Sequence, residues 1–276
     1  GAISSADLDS DGFLDFVVAS KSKSIYIFDI YGLKSEYDAD RYLIGTPVIG
    51  NFDSDSDLEI AVGGYSGSTS SNSLFVINYD GTDVDGFPYV VGEKIKAGAA
   101  VADMDGNGID DIIFGTDSDN LHVVLDSSSP APNFPVSLSD RIQSEPAVLD
   151  LNGDKIILTG CKDNNFYAIN YNDGSLRFLI PTADDVFTSP SFSNNLIYFG
   201  SDDGYVYAVD TFGNIAEGFP LDVEDEVVGS IVFADLVGDG SACMIAGTSG
   251  GKVFAFDSNN DLLQYFPIEY QYPIAS

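Results

Sequence analysis

Three short stretches of the chain carry oxygen-bearing side chains at alternate positions, a spacing that suits a hard divalent cation. Asp7, Asp9, Asp11 and Asp15 stand at positions 1, 3, 5 and 9 of the first stretch. Asn51, Asp53, Asp55 and Glu59 repeat that spacing in the second, and Asp103, Asp105, Asn107 and Asp111 in the third. Calcium takes about six to eight oxygens in flexible geometry, which four such side chains and a main-chain carbonyl near position 7 begin to supply. Gly12 and Gly108 permit the sharp turn that wraps a loop around an ion. A single Asp-rich stretch could be an ordinary turn closed by its own side chains. Three with one spacing, each at the same point of a repeat, predict calcium sites. An EF-hand needs flanking helices and a Glu at position 12, and neither is present. Asp150, Asn152 and Asp154 form a shortened fourth copy, a secondary metal candidate. Asp235 and Asp239 form another, with Val237 and Cys243 in the remaining ligand places. The fifth copy, SFSNN, has no acids.

The elements that must position these loops recur with them. An apolar strand leads into the acidic turn, and a second apolar strand follows it, ending in Gly or Ser. A polar turn and an aromatic strand come next, then a Gly turn and often Phe-Pro. Six copies in 276 residues give a mean period of 276/6 = 46. Alternation in IYIFD, FVINY, FYAIN, VYAVD and VFAFD is the period of a strand with one face buried. A period near 40–50 residues holding about four strands marks a propeller blade. The expectation is an all-β, six-bladed β-propeller of about four antiparallel strands per blade. Its single domain spans 1–276, with blades near 1–45, 46–97, 98–144, 145–188, 189–229 and 230–276. Joined tail to head, FPIEYQYPIAS and GAISSAD match the length of the internal FPLDVEDEVVGSIVFAD to within one residue, which predicts a closed ring.

These loops resemble the FG-GAP repeats of integrin α-subunit propellers and related bacterial surface proteins. The aromatic strands, as in GYVYAVDTFGNIAEGFP, are similar to the repeats of pyrroloquinoline-quinone-type propellers. The resemblance implies that calcium stiffens the loops while ligands bind on the opposite face. It also implies a place outside the cell or at its surface.

Composition narrows the partners. The chain has 44 acidic and 11 basic residues, a formal charge of −33, which repels nucleic acid and anionic lipid. No apolar run reaches the length of a membrane span. The absence of an initiator Met and of a leader suggests a mature or excised piece, a monomeric domain of a larger protein. Arg41, Lys94 and Arg141 stand nine or ten residues before successive loops, and with Tyr42 they predict a rim able to hold a protein or glycan ligand, including an acidic one. The polar turns after the second strands, GYSGSTSSN among them, should share that side. His122, Cys161 and Cys243 read as buried structural residues. There is no Trp on which a quinone cofactor could stack, no G-x-S-x-G, and one histidine. A non-catalytic binding or adhesion module is therefore expected. The alternatives are a passive scaffold domain in a larger secreted enzyme and a calcium-dependent polysaccharide lyase, with Lys94, Lys96, Arg41 or Arg141 as its base.

Overall fold

The structure, a computed structural model, describes residues 3–66 and 72–272. Among these residues there is no helix, and the strands form six sheets in which strand order follows chain order and neighbours run antiparallel. The inner strands are Ile3–Ala6, Val48–Gly50, Ala100–Ala102, Ala147–Leu151, Ser191–Ser193 and Val227–Ala234. The second strands are Asp15–Ala19, Glu59–Tyr65, Asp111–Gly115, Asp154–Cys161, Leu196–Gly200 and Cys243–Thr248. The third are Ser24–Asp29, Ser73–Ile77, Asn120–Val124, Asn165–Asn170, Tyr205–Val209 and Lys252–Phe256. A fourth strand closes each sheet, seven residues long in Gly32–Asp38, six in Leu176–Pro181 and two in the other four. The second sheet has a fifth strand, Tyr42–Leu43, which pairs with the far end of Glu59–Tyr65 beside Val48–Gly50. The tail-to-head join rests on residues 1–2 and 273–276, and part of the GYSGSTSSN turn on 67–71; these lie outside the described residues.

The chain divides into two compact units. One runs to Lys155 and adds Tyr171–Gly174; the other is Ile156–Asn170 and the chain from Ser175 onward. Inside the first, Val17, Ile25 and Ile27 of the first sheet pack on Ile60, Val62, Phe75 and Ile77 of the second. The opposite face of the second sheet, with Ala61, Leu74 and Val76, packs on Ile112, Phe114 and Val124 of the third. Inside the second unit, Val206 and Ala208 pack on Met244, Ala246, Phe254 and Phe256 in the same way. Face-to-face packing corrects the expected one-sided burial. Ser73–Ile77 and Asp111–Gly115 are buried at every residue, and the second sheet is covered on both faces, by the first sheet and the third.

A recurring latch joins successive sheets. The chain leading into a sheet presents one buried apolar residue whose N–H donates to the carbonyl at the end of the preceding second strand. The pairs are Leu43 to Ser20, Ile95 to Gly64, Ile142 to Thr116, Val186 to Cys161 and Val227 to Ser201. Beneath Ile95, Ile142, Val186 and Val227 lies a glycine, at 63, 115, 160 and 200. A Cβ on any of these would come within 2.1–2.3 Å of the latch residue.

Candidate metal centre

The acidic loops join the inner strand to the second strand, and their last acid opens the second strand. That acid is buried in all three cases: Asp15, Glu59 and Asp111 are 3%, 1% and 0% exposed. Each accepts the main-chain N–H of the residue seven places earlier. Leu8 donates to Asp15 Oδ2 at 3.0 Å, Phe52 to Glu59 Oε2 at 2.7 Å and Met104 to Asp111 Oδ2 at 2.7 Å. The donors are apolar plugs, each 2% exposed or less, so one contact ties the loop to the core. Sequence reasoning missed these plugs; the apolar residue between the first two acids of each loop is their signal.

The first acid shapes the turn. Asp7 accepts the N–H of Asp11 at 3.0 Å and of Gly12 at 2.9 Å, and Asp103 accepts those of Gly106, Asn107 and Gly108. Gly12 and Gly108 have φ of +91° and +90°, the left-handed region where a side chain would be strained. The acids at positions 1, 3 and 9 then converge. Ligand oxygens of Asp7, Asp9 and Asp15 lie within 4.8 Å of one another, as do those of Asp103, Asp105 and Asp111. In the second loop, where position 1 is Asn51, the converging acids are Asp53, Asp55 and Glu59 at positions 3, 5 and 9.

Three further predicted ligands make hydrogen bonds within their loops. Asp11 Oδ1 accepts the N–H of Phe13 at 2.8 Å, and Asn107 Oδ1 that of Ile109 at 2.7 Å. Asn51 donates through Nδ2 to the carbonyl of Asp55, while its Oδ1 is buried with no hydrogen-bond partner. Asp9 Oδ1 is in the same state. Two buried oxygens without partners, in an all-oxygen donor set, fit a hard cation such as calcium. Electrostatics agree. Burial pushes Glu59 up to about 7, with Asp53, Asp55 and Asp57 adding to it against the Phe52 N–H. Burial likewise pushes Asp111 up to about 6. Enclosed carboxylates of this kind are stabilised by a counter-charge. Asp9 is held below the usual range by its hydrogen bond from Lys34.

The secondary candidates differ. Asn152 and Gly153, with φ of +60° and +92°, form a two-residue hairpin turn, and Asp150 accepts the Gly153 N–H. This turn is tighter than the three convergent loops, with Asp150 and Asp154 on either side of Asn152 and Gly153. In the sixth loop Asp235 accepts the N–H groups of Gly238 and Gly240, so the turn persists, and Asp239 accepts that of Ser241. Cys243 stands where the buried acid would be. Without that acceptor Leu236 is 45% exposed, although its counterparts are plugs.

The latch register makes Tyr42, not Arg41, the counterpart of Lys94 and Arg141, and places Asp185 and Glu226 at the corresponding points of the second unit. Arg41 and Arg141 lie against Asp40 and Asp140. Lys94 sits over the Tyr65 ring at 5.3 Å, and Lys96 donates to Gln143 at 2.7 Å. A cavity of about 570 Å³ in the first unit is lined by Leu43, Lys21 and Lys96 among others, not by the predicted rim. His122 is buried, stacks on Phe114 with centroids 5.1 Å apart, and lies 3.3 Å from Glu93. Both cysteines are buried, and they form no disulfide.

No protein-family model and no curated protein matches the chain. Solved structures do. BBS1N, crystallised in complex with ARL6DN and soaked with lead, has a TM-score of 0.69 at 14% identity over 99% of this chain and 82% of that one. The computationally designed Ika8 protein gives 0.65 at 15% over 95% and 74%. BamB from Moraxella catarrhalis gives 0.61 at 14% over 100% and 89%. At such identities the likeness carries the fold alone: the six four-position sheets are those of a β-propeller.

Proposed function

We propose that this chain is a non-catalytic binding module. Residues 1–276 form a single six-bladed propeller whose acidic loops hold calcium. The side away from those loops recognises a protein or glycan, at the cell surface or outside the cell. The supporting observation is the threefold convergence of carboxylate oxygens at equivalent points of three consecutive sheets. A protein partner is in keeping with the fold neighbour BBS1N, itself in a complex with ARL6DN. A charge of −33 argues against nucleic acid. The side chains proposed as a lyase base are engaged with Asp40, Asp140, the Tyr65 ring and Gln143.

Calorimetric melting with calcium and with chelator tests the metal. An ion that binds only the folded chain at a hundred times its dissociation constant adds about 2.7 kcal/mol per site. The melting temperature should therefore rise by several degrees in calcium. Superimposable melts would remove the proposal. Incubation with acidic polysaccharide should produce no unsaturated-sugar absorbance, and its appearance would replace the binding module with a lyase.

A further inference from the structure

The three convergent loops differ in their nearest ammonium. Lys34, on the outer strand Gly32–Asp38 of the first sheet, forms an ion pair with Asp9 Oδ2. The side chains are only 20% and 22% exposed, and the Lys34 ammonium also lies 4.8 Å from the centroid of the Tyr79 ring. Asp9 is a member of the convergent group, so the ammonium already neutralises one of the carboxylates that an ion would use, through Oδ2, while Oδ1 has no partner. In the third loop Lys155 donates to the main-chain carbonyls of Asp103 and Met104, outside the carboxylates. Among the described residues no ion pair reaches Asp53, Asp55 or Glu59 of the second loop.

We propose that Lys34 is the resident cation of the first loop, supplying tethered positive charge where the other two loops require a divalent ion. The inference rests on the calcium reading above. Calcium can enter the first loop only by displacing Lys34. Displacement breaks a charge-assisted hydrogen bond and a cation–π contact, and leaves an ammonium beside a divalent cation. The first loop is therefore the weakest of the three for calcium, and Lys34 sets that weakness. With Lys34 in place it keeps its shape in chelator.

The test is calorimetric titration of the full chain with calcium chloride, comparing the unaltered protein with K34M, E59Q and the double variant K34M/D9N. K34M should strengthen the weakest binding step by roughly ten- to hundredfold, the worth of one charge-assisted hydrogen bond. K34M/D9N should abolish the gain. E59Q should remove a tighter step and leave the weak one unchanged. If E59Q loses a step but K34M titrates like the unaltered chain, the calcium reading stands and the role of Lys34 falls. If neither the unaltered chain nor K34M takes up calcium, both fall. A measurement on the unaltered chain covers the case in which K34M does not fold. The side-chain ammonium signal of Lys34, slowed in exchange by its ion pair, should persist while the tighter steps saturate and vanish in the last one. Loss of the signal in the first step would overturn the assignment.

Discussion

His122 concentrates the chemistry of one residue into a test. Its imidazole is enclosed between Phe114 and the polar group of Glu93, Thr116 and Asn120. Burial lowers its pKa from the ordinary 6.5, against the opposing pull of Glu93. The unfolded chain therefore accepts a proton near pH 6.5 that the folded chain resists. Stability contributed by this residue is present above that pH and is lost as pH falls toward the folded value. Asp202 acts in the opposite sense. Burial raises its pKa to about 6, so its ionisation costs stability that returns on acidification. The melting temperature of the protein alone mixes these effects, and the comparison with H122Q separates them. The gap between the protein and H122Q should narrow on going from pH 7.5 to pH 5.5. Parallel curves would mean that the imidazole takes up its proton over the same pH range in both states. The sequence showed His122 as a structural residue in an alternating strand, but its partner lies 29 positions earlier, beyond any local pattern.

At the scale of the element, the latch shows how side-chain branching and backbone fit together. Ile95, Ile142, Val186 and Val227 branch at Cβ, and each rests on a glycine. In the first sheet the latch is Leu43, which branches one atom further out, and beneath it stands Ala19. G115A should overpack the contact with Ile142 and cost about 2–3 kcal/mol in chemical denaturation. G115A/I142L, which copies the first sheet, should recover part of that loss; no recovery would sever the link between branching and glycine. The glycine at the end of the second strand in every sheet but the first was plain in the repeat, and so was its period. Its cause was not, because the residue that forbids a side chain belongs to the next sheet. The acidic loops were legible from the spacing of their acids, while the bonds by which Asp11 and Asn107 accept the N–H groups of Phe13 and Ile109 are choices that spacing alone does not reveal.

For the molecule as a whole, 44 acids against 11 bases load every unit of chain with like charge. Repulsion of that kind opposes the compact state, and salt relieves it as the screening length falls from about 30 Å at 0.01 M to about 8 Å at 0.15 M. In chelator, sodium chloride over that range should raise the melting temperature. In calcium the rise should be smaller, since bound ions already cancel part of the charge. A flat or falling response in chelator would show that repulsion is not limiting. The sixth loop gives this balance a further meaning. It retains the turn built by Asp235 while Val237 and Cys243 replace two ligands. The architecture thus tolerates a change of two side chains without losing its contour. On the calcium reading proposed above, the number of cations one molecule carries is set loop by loop, each turn being built by its own first acid whether or not the remaining ligands are kept.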